Sequence, residues 1–431
     1  MTEATPSPVP VTIGLIGLGD MGRLYARCFI KAGYTAIVGC DLPERHDELV
    51  DQFAGTPMQV LADGFAVARL ADFLIFSVEA SRVEAIVARY GPAVKVGATV
   101  CGQTSVKTPE IRAFEAHLPA DTQIVTCHSL HGPRVNPRGQ PLVVIRHRAS
   151  DAAFARAEQI LASLQSVTVY LSAEEHDHIT ADTQAVTHCA FLSMGSAWKA
   201  QRLFPWEHCG GIDRIKMTTC LRIYGSRWHV YAGLAIMNPA AKIQVQQYAR
   251  SVNELFKLML LERESELSER LHRAGEYVFG TSTTRKSPIL LTKKLVDQFS
   301  AESVMRERSM PNSHLSLLAM VDCWHQLGIQ PYDHLICQTP PFRLLLGMAE
   351  YLFLDEAFLN KSIHDAVHDT TGREADLEFY TAAQQWRECV TYETMSTFKE
   401  RFMDVSSFFS DRLEWGLRES SAMIEQLVRP E

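Results

Sequence analysis

The sequence predicts an N-terminal α/β domain with a doubly wound parallel sheet, followed by an all-helical C-terminal domain. Over about the first 170 residues, short apolar runs that suit buried strands alternate with amphipathic helical stretches that end in glycine. Beyond Ser172, strand signals become rare, and apolar residues recur at spacings of three and four, which is typical of helices. We therefore expect two domains, residues 1–173 and residues 174–431.

Several segments of the first domain have the composition of strands buried on both faces. They are VTIGLIG from Val11, AIVGCD from Ala36, FLIFSV from Phe73, ATVCG from Ala98, QIVTCH from Gln123, PLVVIRH from Pro141 and VTVYLS from Val167. Intervening segments such as DMGRLYARCFIKAG and RVEAIVARYG have helical spacing. In a sheet of this kind, ligands bind beyond the carboxyl ends of the strands.

The second domain is predicted to begin with a long helix. Ser172 and Glu175 have the S-x-x-E spacing of a capping box, and helical spacing then continues to about Leu203. Further helical patterns cover 238–279, 311–359 and the tail from Asp376. We interpret residues 280–288 as a loop, and the sequence assigns no role to the segment 280–308.

Composition and charge narrow the class of protein. The net charge of −8 argues against nucleic acid as a partner, and the apolar stretch LLLGMAEYLFL is too short for a membrane span and contains Glu350. The ten cysteines stand singly, without a C-x-x-C pair, and the N-terminus has no targeting pattern. We therefore expect a cytoplasmic protein with reduced thiols that binds neither nucleic acid nor membrane.

A G-x-G-x-x-G motif follows the first strand and opens the first helix. Gly17 permits the tight turn, Gly19 lets the backbone approach a pyrophosphate, and Gly22 allows close packing of helix on strand. The helix N-terminus then offers free N–H groups to the anion. This context predicts a dinucleotide site rather than a purely structural turn. The residues expected to line it are Gly17, Leu18, Gly19, Asp20, Met21, Gly22, Asp41, Arg45, Ser77 and Val78.

The choice between NAD and NADP stays open at this point. Asp41 lies about 20 residues beyond the motif, at the end of the second strand, where an acid binds the ribose 2′-hydroxyl of NAD. Arg45 and His46 lie just beyond it, and a cation there holds the 2′-phosphate of NADP.

Polar side chains follow two later strands at their carboxyl ends. GQTSVK contains Gln103, Ser105 and Lys107, and CHSLHGP places His128 at a strand tip. A neutral imidazole in this position can accept a proton from a substrate alcohol, and Ser105 can hold its other nitrogen in the correct tautomer. The alternative is a hydrogen-bonded structural histidine, which is our interpretation of His131.

The long helix carries two pairs of polar residues. His176 and His178 have an H-x-H spacing that zinc accepts, but no second ligand pair stands nearby, so we interpret them as the start of a capped helix and predict no metal. Gln184 and His188 share one helical face. They either line an active site or form a hydrogen-bonded pair that fixes helix packing.

Taken together, these motifs resemble prephenate dehydrogenase, most closely its fungal NADP-dependent form. The resemblance runs from about residue 11 to 360 and is carried by IGLGDMG, GQTSVK, CHSLHGP, EEHDHITADTQAVTH, LRIYGSRWHVYAGLAIMNP and the stretch from PNSHLSLL to AEYLFL. It implies a Rossmann-type domain, a helical dimerisation domain and NADP as cofactor. It also implies oxidative decarboxylation of prephenate to 4-hydroxyphenylpyruvate in tyrosine biosynthesis, by a homodimer.

The resemblance also assigns roles to individual residues. It implies catalytic roles for His128, its partner Ser105 and a second histidine, His188. It implies substrate contacts for Arg222, which would grip a carboxylate, and for Lys107 and Gln184.

Three other functions remain compatible with the sequence. Arogenate dehydrogenase runs the same chemistry with an amino group in place of the keto group. A 3-hydroxyacid dehydrogenase shares the glycine motif, but its lysine on the long helix is not obvious, since Lys199 lies late in that helix. A sensor would bind NADP without turnover.

Overall fold

The computed structural model describes residues 10–207, 211–280, 290–300, 312–333 and 340–428. The chain divides into two compact units, Met1–His178 and Ile179–Glu431. This division lies five residues beyond the boundary that we expected from the sequence (178 against 173). The segment interpreted as a loop, 280–288, lies outside the described residues except for Gly280.

The first unit is built on one eight-stranded sheet. Its strands are β1 Ile13–Ile16, β2 Ile37–Cys40, β3 Met58–Val60, β4 Phe73–Phe76, β5 Thr99–Gly102, β6 Gln123–Ser129, β7 Pro141–Arg148 and β8 Val167–Tyr170. The order across the sheet is β3-β2-β1-β4-β5-β6-β7-β8. The order reverses between β1 and β4, which is the point where α/β sheets bind dinucleotides.

Two features of the sheet differ from the prediction. β3 was missed because it has only three residues, and one of them is the polar Gln59. The sheet is not wholly parallel, since β7 runs antiparallel to β6 and β8 is parallel to β7. No helix intervenes between β6 and β7, and a parallel pair requires a crossover of a dozen or more residues, usually a helix.

Helices accompany the sheet and explain the burial of its strands. They are α1 Asp20–Lys31, α2 His46–Gln52, α3 Gly64–Leu70, α4 Val83–Tyr90, α5 Lys107–His117 and α6 Asp151–Leu161. Every residue of β1, β2, β4 and β5 is buried, as expected of strands with both faces covered.

A 28-residue helix, α7 Ala173–Ala200, begins in the first unit and continues into the second. The predicted capping box is confirmed. The Glu175 N–H donates to Ser172 Oγ at 3.1 Å, and the Ser172 N–H donates to the Glu175 carboxylate at 2.7 Å. The helix ends three residues before the predicted Leu203 (200 against 203).

The described residues of the second unit form helices and no strand, which confirms the predicted fold class. The helices are α8 Ile212–Tyr224, α9 Trp228–Ala232, α10 Pro239–Leu260, α11 Glu264–Phe279, α12 Lys293–Ser300, α13 Leu315–Leu327, α14 Pro340–Leu354, α15 Glu356–His368, α16 Arg373–Thr391, α17 Met395–Phe408 and α18 Ser410–Val428. Their apolar faces share a core that includes Trp324 and Trp386. None of the described helices is long and apolar enough to cross a membrane.

One turn of this unit departs from α-helical geometry. Residues Gly233–Met237 form a π-helical turn between α9 and α10. Asn238 then caps α10, because its side-chain oxygen accepts the N–H of Ala240 at 3.0 Å. Turns of this type are frequent beside functional sites, and this one follows Tyr231 closely along the chain.

Candidate active site

The glycine motif has the geometry that close approach of a pyrophosphate requires. Gly17 has a φ of +98°, and a Cβ added there would lie 2.2 Å from the Ser77 carbonyl oxygen. A Cβ on Gly22 would lie 2.2 Å from the Gly17 carbonyl oxygen, so neither position accepts a side chain. A Cβ on Gly19 would meet nothing within 4 Å, which leaves the backbone before α1 open to a ligand.

The other residues predicted for this turn have different roles. Leu18 is fully buried in the core, and its N–H donates to Asp41 Oδ2 at 2.6 Å, so it shapes the turn and offers no free donor to a ligand. Asp20 pairs with Arg23 at 2.7 Å, and Met21 packs against the core. Arg45 Nη1 lies 3.2 Å from Asp41 Oδ2 and remains partly exposed.

Ser77 and Val78 follow β4 and lie against the glycine turn. The Ser77 hydroxyl donates to Gln103 Oε1 at 2.6 Å. The Nε2 of Gln103 is buried and has no hydrogen-bond partner among the described residues. A buried amide without a partner is costly unless a ligand or water satisfies it. The turn, the open backbone at Gly19 and this amide therefore fit a bound dinucleotide.

His128 lies near the end of β6, and its side chain is almost fully buried. Its Nδ1 lies 2.8 Å from Nε2 of His176, a residue of α7. Burial lowers the pKa of His128 well below the usual value, and the neighbouring His176, Lys107 and His131 lower this pKa further. The ring is therefore neutral near pH 7 and able to accept a proton.

The expected partnership between Ser105 and His128 is wrong for Nδ1. This nitrogen is bound to His176, and no hydrogen bond joins Ser105 to His128 in the described part of the chain. Ser105 follows β5, the strand that pairs with β6, so the two residues do belong to neighbouring strand ends. No pattern in the sequence indicates that a histidine 48 positions downstream occupies Nδ1.

His176 is held in turn by Asp177, so the interpretation of this segment as only a helix start is incomplete. His176 Nδ1 lies 2.9 Å from Asp177 Oδ1. The same carboxylate accepts the backbone N–H groups of Lys107 and Thr108, both at 2.7 Å, and the Thr108 hydroxyl at 2.6 Å. Both ring nitrogens of His176 thus have partners, which leaves neither one free for a metal.

Lys107 does not face a substrate site, so its predicted role as a substrate contact is wrong. Its side chain has no exposed surface. Its ammonium group donates to Glu110 at 2.8 Å, to the Thr126 hydroxyl at 3.0 Å and to the Cys127 carbonyl at 2.6 Å. These three acceptors use all three of its N–H donors.

His188 and Gln184 lie one turn apart on α7, within the second unit. The His188 ring meets the Tyr231 ring edge to face, with centroids 4.7 Å apart. Burial lowers the pKa of His188 to about 4, so this ring is also neutral near pH 7. Within the described residues no hydrogen bond joins Gln184 to His188, which removes the interpretation of a bonded packing pair.

Arg222 lies on α8 of the same unit and is partly buried. Its Nη1 donates to the Ser421 hydroxyl at 2.7 Å, but no carboxylate of the described residues lies within ion-pair distance. Burial lowers the pKa of Arg222, and the nearby Tyr231 phenol opposes that shift. Tyr231 thus neighbours both Arg222 and His188, a role that the sequence analysis missed because helical periodicity does not reveal contacts between helices.

His131 conforms to its structural interpretation. Its Nδ1 lies 3.0 Å from the Gly132 carbonyl oxygen. Its position two residues beyond β6 places it in the turn that leads toward β7.

Comparison with known proteins gives matches over nearly the whole chain. Residues 12–172 match the NAD binding domain of 6-phosphogluconate dehydrogenase, and residues 185–429 match a 6-phosphogluconate dehydrogenase C-terminal domain. The chain is 50% identical to the probable prephenate dehydrogenase [NADP(+)] of Schizosaccharomyces pombe, over 96% of this chain and 97% of that protein. It is 48% identical to the prephenate dehydrogenase [NADP(+)] of Saccharomyces cerevisiae, over 93% and 90%. The chain belongs to the prephenate dehydrogenase family.

A solved structure of the same family name shares the fold. The prephenate dehydrogenase of A. aeolicus, in complex with hydroxyphenyl propionate and NAD+, superposes with a TM-score of 0.52 at 19% identity. It covers 62% of this chain and 97% of its own. The prephenate dehydrogenase fold therefore accounts for much of this chain, and the chain is longer than that relative.

The corrected role of Lys107 can be tested by its effect on stability. Lys107→Met leaves the buried Glu110 carboxylate without its counter-charge, so we expect a loss of about 3–5 kcal/mol in the free energy of unfolding. The surface pair Lys95–Asp72 offers a matched control, and Lys95→Met should cost less than about 1 kcal/mol. Urea unfolding measures both. A Lys107→Met variant of wild-type stability with a raised KM would restore the substrate role.

Proposed function

We infer that this protein oxidises and decarboxylates prephenate to 4-hydroxyphenylpyruvate with NADP+ as hydride acceptor, a step of tyrosine biosynthesis. The observation that carries this function is the identity of about half of all residues with two fungal NADP-dependent relatives, over nearly their full length. A dinucleotide turn and a buried neutral histidine at a strand end of the same sheet supply the two groups that such a reaction needs.

Residues of the first unit suit NADP better than NAD. The Asp41 carboxylate already accepts the Leu18 and Leu42 N–H groups and pairs with Arg45. Its charge is therefore compensated, and the partly exposed Arg45 keeps donors available for a 2′-phosphate. We propose that Arg45 contacts this phosphate, while Gly17 and Gly19 permit the pyrophosphate to approach the start of α1. When bound, NADP+ accepts the hydride that leaves the substrate.

We propose that His128 is the general base. Its neutral ring accepts the proton of the substrate hydroxyl as the carbon that bears it loses hydride. Departure of the ring carboxylate as CO2 then leaves an aromatic ring, which makes the reaction effectively irreversible. The phenolate that forms can recover the proton from His128, so the base is regenerated without a net change in protons.

We propose that Arg222 holds a substrate carboxylate. Its partial burial without an internal carboxylate supports this role, because a guanidinium group binds a carboxylate through two parallel hydrogen bonds. Neutral His188 and Tyr231 beside it suit contact with the uncharged part of the substrate. Ser105 and Gln184, both partly exposed, remain proposed active-site residues.

Assembly and location belong to the same proposal. We propose a cytoplasmic homodimer, with prephenate rather than nucleic acid or membrane as partner. The eight described cysteines are all free, which suits a reducing compartment. Exposed apolar side chains of the helical unit, such as Ile243 and Tyr392, suit a subunit interface. Sedimentation velocity tests the dimer, since the expected species has twice the 48.3 kDa chain mass.

A spectrophotometric turnover assay tests the function directly. We expect rapid reduction of NADP+ with prephenate, slower reduction of NAD+, and little activity with arogenate as the rival substrate. Faster turnover of arogenate would replace prephenate as the substrate. Tight binding of NADP+ in isothermal titration without turnover of either substrate would favour a sensor.

Arg45→Ala tests the cofactor assignment. Loss of a charge-assisted hydrogen bond to the 2′-phosphate should raise the KM for NADP+ roughly tenfold or more, with little change for NAD+. Arg156→Ala, which removes an exposed arginine of α6, serves as the control. Steady-state kinetics with both cofactors give the comparison. Equal changes in the two KM values would place Arg45 outside the 2′-phosphate site.

Two variants separate proton transfer from substrate binding. His128→Asn should lower kcat by about 10²–10⁴-fold with little change in KM, because it removes the general base. Arg222→Ala should instead raise the KM for prephenate by about 10- to 100-fold, because it removes charge-assisted hydrogen bonds. If His128→Asn kept a kcat near that of the wild type, the assignment of the base would be wrong.

A further inference from the structure

Three side chains of the first unit form a continuous hydrogen-bonded chain. Nδ1 of His128 lies 2.8 Å from Nε2 of His176, and Nδ1 of His176 lies 2.9 Å from Oδ1 of Asp177. All three residues are buried. A buried imidazole gains most from hydrogen bonds that are all correctly oriented, because water cannot replace a lost partner.

The Asp177 end of this chain has a fixed polarity. Its carboxylate accepts the N–H of Lys107 on Oδ1, and the N–H and hydroxyl of Thr108 on Oδ2. These N–H groups belong to the first turn of α5, whose dipole favours a negative charge. Burial opposes ionisation, but the bonds from His176, Lys107 and Thr108 outweigh it and lower the pKa of Asp177. Asp177 is therefore ionised and can only accept.

The tautomers of both histidines follow from that acceptor. Nδ1 of His176 must carry the proton that it donates to Asp177, so a neutral His176 has a bare Nε2. This Nε2 can only accept, so Nδ1 of His128 must carry a proton. The one remaining nitrogen of His128, Nε2, then holds the free lone pair.

We propose that His176 and Asp177 are positioning residues that direct the basic nitrogen of His128, Nε2, toward the substrate hydroxyl. For its reaction, this role rests on the proposed function. The hydroxyl O–H bond breaks, the proton forms an N–H bond at Nε2, and the positive charge on His128 is stabilised through His176 by Asp177. No proton has to leave Nδ1, so the chain orients and stabilises the base without being consumed.

The charged surroundings determine the sign of the pH effect. His128 faces His176 and the charges of Lys107 and His131, while His176 faces Asp177, Lys107 and Glu110. Among these groups, Asp177 favours the protonated imidazoles and Lys107 disfavours them. Neutralising Asp177 must therefore lower the pKa of the base. Since activity is lost as pH falls through that pKa, the acid limb of the kcat profile must move to lower pH.

The first experiment compares kcat against pH for the wild type, His176→Leu, His176→Gln and Asp177→Asn, at saturating prephenate and NADP+. We expect His176→Leu to lower kcat by about 10²–10⁴-fold, the contribution of a well-oriented base, with KM nearly unchanged. His176→Gln keeps a side-chain oxygen that can accept from His128 Nδ1, so it should recover part of that loss. Asp177→Asn should lower kcat and move the acid limb to lower pH.

A surface pair in the same unit gives the matched control. His147 and Glu115 form a histidine–carboxylate contact of 2.7 Å outside the buried site, so His147→Gln should change neither kcat nor the acid limb. Variants of His176 that lower only the melting temperature, with wild-type kcat and acid limb, would reduce the chain to a structural role. This comparison also holds if Asp177→Asn fails to fold.

A second measurement separates this inference from the proposed function. Nitrogen-15 NMR of histidine-labelled protein without substrate distinguishes protonated from unprotonated ring nitrogens. We expect protons on Nδ1 of both His128 and His176, and none on their Nε2 atoms. The reverse pattern would overturn the positioning role even if prephenate turns over. The expected pattern in a protein that does not turn over prephenate would overturn only the proposed reaction.

Discussion

A buried ion pair between Lys107 and Glu110 fixes the ends of β5 and β6, and the catalytic part of the first unit depends on it. Neither side chain has exposed surface, so each must recover its desolvation cost from its contacts. Glu110 does so by accepting the N–H and hydroxyl of Thr104, in addition to the ammonium of Lys107. Gly102 leaves room for this carboxylate, since a Cβ there would lie 2.1 Å from it. The pair thereby holds the turn that leads into α5.

The same pair sets the electrostatics of the base. Lys107 reaches the Cys127 carbonyl, one residue before His128, and its charge helps to keep that imidazole neutral. Its own backbone N–H meanwhile holds the carboxylate of Asp177, which favours the charged form of His176. One residue thus supplies a positive charge that disfavours protonation and an anchor for the negative charge that permits it. The result is a base that is neutral at rest yet stabilised when it takes a proton.

Features that depend on neighbours in sequence were predictable, and features that depend on distant contacts were not. The glycine turn and the capping box of Ser172 and Glu175 involve residues a few positions apart, and both agree with the structure. The motif SVK brings Ser105 and Lys107 together in sequence, but acceptors about 20 positions away turn Lys107 into the core. His176 and Asp177 were dismissed for the same reason, since their partners lie 48 and 70 positions upstream.

The helical unit shows by contrast which of its cations suits a ligand. Arg270 binds Asp322 through two hydrogen bonds, 2.7 Å and 2.8 Å long, and these bonds raise its pKa. Burial instead lowers the pKa of Arg222, whose described hydrogen-bond acceptor is a neutral hydroxyl. A guanidinium held in that state costs stability that Arg270 does not cost. Proteins retain such a cost where function needs it, and a substrate carboxylate would turn the environment of Arg222 into that of Arg270.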